Sequence, residues 1–188
     1  PAGSTVKDSK GNEITITDAL EWKTENKVEL KTEYQDSAVA GINGVGYDSL
    51  DAAITAAQNG DTITILKAAE DESGYKLNGS LTYSGKAITI KAASGVDVKF
   101  DMSTGVALHG AKITFEGVTF EYKTNNNYVG LQHTDTMVYN NCVFNGQMFL
   151  YGASETFNGC TFKQTSPNAY NVWTYGAKEV DFNDCIFE

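Results

Sequence analysis

Residues 115–120 read Phe-Glu-Gly-Val-Thr-Phe, and three later segments repeat this pattern. Each copy contains an aromatic residue, two turn-forming residues, Val or Cys, one variable residue and Phe. The copies are FEGVTF (115–120), YNNCVF (139–144), FNGCTF (157–162) and FNDCIF (182–187), and their leading aromatic residues are 24, 18 and 25 positions apart. Self-similarity at such spacings indicates a solenoid, in which each repeat buries its apolar face against the next one.

Each copy holds two short alternating runs joined by a pair of residues that tolerates positive φ, such as Asn-Gly or Asn-Asn. A third short run precedes each copy, at residues 106–109, 130–133, 148–151 and 172–175. The period of two excludes a helical solenoid. A hairpin meander would need tight turns between antiparallel runs, and its copies would have no reason to keep register. We therefore predict an all-β fold, a right-handed single-stranded parallel β-helix.

The segment before the repeats predicts a capping helix over residues 48–59. One apolar face is formed by Leu50, Ala53, Ile54 and Ala57, at helical spacing. Asp48 or Ser49 is a suitable N-cap, and Gly60 is a suitable residue after the helix. A lid is expected at this end because a solenoid otherwise exposes its core and unpaired strands.

The repeat pattern divides the chain into an N-terminal extension, residues 1–44, and the β-helix, residues 45–188. In the extension, residues 13–23 and 27–34 predict a hairpin or the tail of a preceding module, with 35–46 as the connection. Triplets of Ile-Thr-Ile or Ile-Thr-Phe at 63–65, 88–90 and 113–115 indicate earlier coils in a helix of five or six, occupying residues 61–188. We interpret the chain as an excised piece of a larger protein, truncated at its C-terminus.

The segments YDSLDAAI (47–54) and GDTITI (60–65), with the repeats that follow, resemble the pectate-lyase-like parallel β-helix superfamily. The resemblance covers roughly residues 45–188 and is closest to secreted bacterial members. It implies an extracellular or bacterial cell-surface location. For function it implies either a polysaccharide lyase or hydrolase, or a noncatalytic adhesin-type domain.

Composition narrows the range of partners. The net charge is −10, and all fourteen basic residues are lysines. Nucleic acid is therefore an unsuitable partner, because phosphate recognition uses dense positive charge and arginine forks. No apolar run has the length of a membrane span, so we expect no membrane insertion, and we expect the fragment to be a monomer.

Alternation places the repeated aromatic residues and Cys142, Cys160 and Cys185 inside the solenoid. We interpret the three thiols as a buried column. Redox or metal chemistry is the alternative, and a disulfide is disfavoured because stacked parallel strands hold Cβ atoms too far apart. The residues Asn140, Asn158 and Asn183 predict a second column, in which side-chain amides stack at the bend.

The strand before each repeat carries the candidate binding residues. We align its copies at Gly110, Thr134, Gly152 and Gly176, which stacks His109 on His133 and turns the larger side chains, with Leu131, outward. The predicted ligand-binding residues are Phe149, Tyr151, Trp173, Tyr175 and His133, with Tyr128 and Tyr170 from loops, and Tyr122 is placed near the same face. Exposed aromatic rings favour a glycan or a host protein as ligand. The alternative is that the loops fold over these rings.

Catalytic motifs of the resembled enzymes are missing from the sequence. It contains no arginine and no Gly-His-Gly or Asp-Asp segment. Glu155 and Glu179 are interpreted as solvated charges at strand entries, and two histidines without a third ligand seldom hold zinc. We therefore predict no catalytic residues, no metal and no cofactor. An enzyme domain of the lyase or hydrolase kind, or a rigid spacer, is the alternative.

Overall fold

The computed structural model describes residues 5–7, 13–15, 37–81, 83, 85–108, 112–122, 131–133, 136–164 and 171–188. The chain divides into two compact units, Pro1–Thr32 and Glu33–Glu188. In the first unit, β1 (Thr5–Lys7) and β2 (Glu13–Thr15) pair in antiparallel fashion. Only the start of the predicted strand 13–23 is described, and the predicted strand 27–34 lies outside the described residues.

The second unit begins with two strands and a helix: β3 (Ala40–Ile42), β4 (Val45–Tyr47) and α1 (Leu50–Ala56). Fifteen further strands follow in the described part of the chain. In chain order they are β5 (Thr62–Ile65), β6 (Ala87–Ala92), β7 (Lys99–Asp101), β8 (Val106–Leu108), β9 (Lys112–Glu116), β10 (Thr119–Glu121), β11 (Leu131–His133), β12 (Thr136–Asn140), β13 (Val143–Asn145), β14 (Met148–Phe149), β15 (Ser154–Asn158), β16 (Thr161–Lys163), β17 (Val172–Trp173), β18 (Glu179–Asn183) and β19 (Ile186–Phe187).

From β5 to β19 the strands stack as a parallel β-solenoid, which confirms the predicted fold class, whereas β3 pairs in antiparallel fashion with β4 and β5. Sheet 1 contains eight strands in the order β18-β15-β12-β9-β6-β5-β3-β4, and sheet 2 contains five in the order β19-β16-β13-β10-β7. The third face consists of the parallel pairs β8–β11 and β14–β17. Four turns carry a strand on all three faces, whereas the sequence predicted five or six coils. The earlier turn, which begins with β5, has no strand on the third face among its described residues.

Register follows the aromatic repeats. On sheet 1, Tyr139 lies between Phe115 and Phe157, and Phe182 follows Phe157. The ring centroids of Tyr139 and Phe157 are 4.7 Å apart, with the planes inclined by 5°. On sheet 2, the aligned rings are Phe100, Phe120, Phe144, Phe162 and Phe187. Burying each ring contributes about 1.5–3 kcal/mol before entropy is subtracted, so these two columns dominate the core.

The bend between the sheet-1 and sheet-2 strands uses the predicted backbone conformation. The second residue of this bend has positive φ in all four aromatic repeats: 65° at Gly117, 51° at Asn141, 61° at Gly159 and 53° at Asp184. Glycine, Asn and Asp adopt this left-handed region at the lowest cost, which explains the residue pairs in the repeat.

The cap differs in part from its predicted form. Ser49 is the N-cap, since the Ala52 amide donates to its Oγ at 3.1 Å, and the predicted apolar face of α1 is buried. The helix ends at Ala56, earlier than predicted, because Ala57 already has extended backbone and Gly60, with φ 91°, lies in the following turn. Within the predicted connection 35–46, β3 pairs with β5 and extends sheet 1.

Ile63 on β5 pairs with Ile90 on β6, and both side chains are buried. The register expected for the third face is corrected. On the third face, His133 pairs with Leu108, so the predicted stack of His109 on His133 is wrong. Leu131, expected outside, is buried. Both changes on this face arise because the observed pairing of β8 with β11 differs by one residue from the predicted alignment. A shift of one residue exchanges the inward and outward sides of a strand.

Candidate functional site

The aromatic surface consists of Phe149, Tyr151, Trp173 and Tyr175, in two successive turns of the third face. The parallel pairing of β14 with β17 sets Phe149 beside Trp173. Their ring centroids are 5.3 Å apart and their planes are inclined by 23°. The predicted alignment of this pair of turns is therefore confirmed.

The two tyrosines form the second file of this surface. The rings of Tyr151 and Tyr175 lie 5.5 Å apart at 61°, and Tyr151 lies 6.3 Å from Phe149 within its own turn. Backbone hydrogen bonds hold the two turns together, since the Leu150 amide donates to the Trp173 carbonyl oxygen at 2.9 Å. The backbones of the two turns are therefore held in register.

Exposure differs among the four rings. Trp173 is 42% exposed and Tyr175 is 61% exposed, whereas Phe149 is 3% exposed and Tyr151 is half-buried. Phe149 was predicted as part of an exposed platform, and this is corrected: it is covered, and Trp173 lies against it. The face that is open to a ligand consists of Trp173, Tyr175 and part of Tyr151.

Of the remaining predicted ligand-binding residues, the structure describes only the backbone of His133. Tyr128 and Tyr170 lie outside the described residues, as does His109. The backbone of His133 pairs with that of Leu108, and the Leu108 side chain is fully buried. Tyr122, which was expected near this face, is buried in the core.

A buried carboxylate is the main feature that the sequence did not predict. Glu155 was interpreted as a solvated turn charge, but it is 1% exposed and its strand position lies between Met137 and Val180. Its Oε1 accepts a hydrogen bond of 3.3 Å from the Gly152 amide. Glu179 pairs with Ser154, on the opposite side of sheet 1, so the two carboxylates do not share one cleft. The alternation of sheet 1 was the signal that could have located Glu155 inside.

Two buried tyrosine hydroxyls accompany Glu155. The hydroxyls of Tyr122 and Tyr139 have no hydrogen-bond partner among the described residues. Burial, and then the charge of Glu155, raises the pKa of both phenols above the usual value. All three groups are buried polar side chains inside the solenoid.

The amide column takes its predicted form, whereas the thiol column does so only in part, because Cys185 is half-buried. Asn183 Nδ2 donates to Asn158 Oδ1, and Asn158 Nδ2 donates to Asn140 Oδ1, each at 2.9 Å. Cys142 and Cys160 are free and buried, and the Cys160 thiol donates to the Tyr139 carbonyl oxygen at 3.3 Å. Hydrogen bonding to Cys160, together with burial, raises the pKa of Cys142.

The described residues offer one sizeable groove away from the aromatic surface. It has a volume of about 540 Å³ and lies beside α1, with Asp51, Lys67, Glu70 and Lys76 among its lining residues. Its charges are of both signs and it is open to solvent. Tyr75, which also lines it, is held by a hydrogen bond of 2.8 Å from its hydroxyl to the Lys67 carbonyl oxygen.

In the part of the chain that the structure describes, no group of three or more His, Cys, Asp or Glu side chains is arranged to hold a metal ion. The same residues contain no helix with the length and apolar character to span a membrane. Comparison of the chain with known protein families, with curated proteins and with solved structures found no match.

Proposed function

We propose that the chain is a noncatalytic, adhesin-like binding domain of a secreted or cell-surface bacterial protein, and that the aromatic surface binds a glycan. The observation that carries this proposal is the exposure of Trp173 and Tyr175, 42% and 61%, on adjacent positions of one rigid face. Large exposed aromatic side chains mark binding surfaces more often than they mark inert ones.

The chemistry of these rings favours a sugar. Trp and Tyr present a flat apolar face with a polar tip, which suits the apolar face and the hydroxyl rim of a pyranose ring. Because the pairing of β14 with β17 fixes the backbone, little backbone entropy remains to be lost on binding. The net charge of −10 favours a neutral glycan over a uronate polymer, since like charges repel.

The proposed location and family follow from the sequence. The solenoid fold, with its helical cap and its stacked aromatic and amide columns, supports a relationship to the right-handed, pectate-lyase-like β-helix superfamily and its secreted bacterial members. Lack of the arginine and of the motifs that the enzymes of that superfamily use supports a noncatalytic member.

Binding to an array of neutral and acidic glycans tests the proposal. We expect the full chain to bind neutral glycans, and Trp173→Ala to weaken binding about thirtyfold, the effect of losing about 2 kcal/mol at a central aromatic contact. A Trp173→Ala, Tyr151→Ala double variant should not bind measurably. Val45→Ala is the matched control, because Val45 is an exposed apolar residue on β4, at the edge of sheet 1 and in a different sheet from β14 and β17.

Three outcomes would contradict the proposal. Capture of host proteins without any glycan would make the surface a protein-binding site. New reducing or unsaturated ends in uronate polymers incubated with the chain, with or without calcium, would make it an enzyme. A chain that binds no ligand in either screen would be a rigid spacer.

A further inference from the structure

Sheet 2 extends beyond β7, its last strand, by a single residue. Tyr75 forms an isolated parallel bridge with Phe100 on β7. The Tyr75 amide donates to the Lys99 carbonyl oxygen, and the Tyr75 carbonyl oxygen accepts from the Asp101 amide, each at 2.8 Å. Gly74 allows this close approach, because a Cβ atom there would lie 2.5 Å from the Lys99 carbonyl oxygen. Both backbone groups of Tyr75 are therefore used on the β7 side.

The backbone groups that flank Tyr75 point the other way. In a planar trans peptide the carbonyl oxygen and the amide hydrogen lie on opposite sides, and the described chain has no cis peptide bond. The Gly74 carbonyl oxygen and the Lys76 amide are therefore directed away from β7. Within the described residues, neither group takes part in a hydrogen bond. These are the acceptor and the donor that an added parallel strand would use.

A groove lies along this free edge. The groove of about 540 Å³ beside α1 is lined by Gly74, Tyr75 and Lys76, and its described lining includes no residue of β7. It therefore lies on the free side of Tyr75. A second groove, of about 320 Å³, adjoins it and shares the lining residues Ala68, Ala69 and Gly74. An extended segment thus has room beside the edge.

The walls of the two grooves carry an excess of negative charge. Their lining contains three lysines and six carboxylates, which are Asp48, Asp51, Glu70, Asp71, Glu72 and Asp97. One of the lysines, Lys99, is paired with Asp97, with 3.5 Å between Nζ and Oδ2. The net charge of the chain is also negative, at −10. Charge complementarity therefore favours a cationic occupant over an acidic one.

We propose that the groove binds an extended basic peptide of a partner protein, which adds a parallel strand to sheet 2 beside Tyr75. The peptide residue opposite Tyr75 donates its amide to the Gly74 carbonyl oxygen and accepts from the Lys76 amide, as Tyr75 does with β7. Its apolar side chain continues the column of Phe100 and Tyr75, whose ring centroids are 6.3 Å apart. Lysine or arginine at the flanking positions pairs with the carboxylates. In such strand addition, main-chain hydrogen bonds give affinity and alternate side chains give specificity.

Fluorescence anisotropy with the full chain tests the strand addition. The probe is a labelled seven-residue peptide with lysine at every odd position, phenylalanine at its centre and threonine elsewhere. We expect it to bind, and N-methylation of the phenylalanine amide to weaken binding about tenfold, because the hydrogen bond to Gly74 is lost. N-methylation of the next lysine is the matched control, since adjacent amides of a strand point to opposite sides. Equal affinities of the two methylated peptides would overturn the proposal.

Charge reversal tests the location and the charge of the bound peptide. Glu70→Lys should weaken binding of the probe about tenfold, because it replaces attraction by repulsion in the groove. Glu179→Lys is the matched control, since Glu179 is an exposed glutamate on β18, and it should leave the affinity unchanged. Unchanged binding by Glu70→Lys would contradict the proposal. Equal binding of a peptide with glutamate in place of lysine, or displacement of the probe by a neutral glycan, would do the same.

Discussion

Trp173 lies against Phe149, with the ring planes inclined by only 23° and the centroids 5.3 Å apart. One of these rings is buried and the other is 42% exposed, although they occupy equivalent positions in successive turns. The boundary between core and surface therefore passes between two residues of the same column. The proposed ligand would take the position over Trp173 that Trp173 takes over Phe149.

The accessibility of Trp173 is the first prediction. Trp22 and Trp173 are the two tryptophans of the chain, so Trp22→Phe leaves Trp173 as the sole indole. Acrylamide should quench its fluorescence strongly in the folded protein, and a bound neutral glycan should protect it. Fluorescence quenched no better than that of a core tryptophan would contradict an exposed surface.

The bend residue gives the second prediction. Asn141 has φ 51°, a conformation that costs an Ala residue about 1–2 kcal/mol. In urea denaturation, Asn141→Ala should lower the free energy of unfolding by about that amount relative to Asn141→Gly. Both variants lose the same amide, so equal stabilities would show that the backbone conformation at the bend is unimportant.

The amide column gives the third prediction. Asn158 takes part in two side-chain hydrogen bonds, whereas Asn183 takes part in one of them. Asn158→Ala should therefore lower the free energy of unfolding by about 1–3 kcal/mol, and Asn183→Ala by about half as much. If the Asn183 variant proves the less stable of the two, the column does not contribute in the way we describe.

Alkaline destabilisation is the fourth prediction. Burial raises the pKa of Tyr83, Tyr122 and Tyr139 in the folded state, so these phenols keep their protons at a pH where the unfolded chain has lost them. Their contribution to stability is complete below the unfolded value, near 10, and is lost as the pH rises above it. Urea denaturation at pH 8 and pH 11 should show the decline. Its slope should be smaller in Tyr83→Phe, and an identical slope in that variant would refute the assignment.

The repeats predicted most of the core because they encode two constraints at once. Phe144 and Phe162 share the parity of Cys142 and Cys160 within each copy, and the bend residues fix where the chain turns. The register observed on sheets 1 and 2 satisfies both the shared parity and the position of the bend. Local sequence was sufficient there, since the same pattern recurs in every turn.

The third face was less predictable, because its strands are two or three residues long and lack a recurring bend. Nothing in the sequence distinguished pairing His133 with His109 from pairing it with Leu108, and the one-residue difference exchanges inside and outside. Glu155 was misinterpreted for another reason. Its charge suggested solvent, whereas its strand position, two residues before Phe157, required the interior.

The variable spacing of the leading aromatic residues has a consequence for design and for evolution. The interval shortens from 24 residues to 18 and lengthens again to 25, yet the rings on either side stay in contact. The stacking positions therefore stay constant, whereas the connecting segments vary in length. A duplicated turn could be inserted between existing turns, and it would lengthen the solenoid by about 4.8 Å. New recognition segments could likewise replace the connecting segments without redesign of the interior.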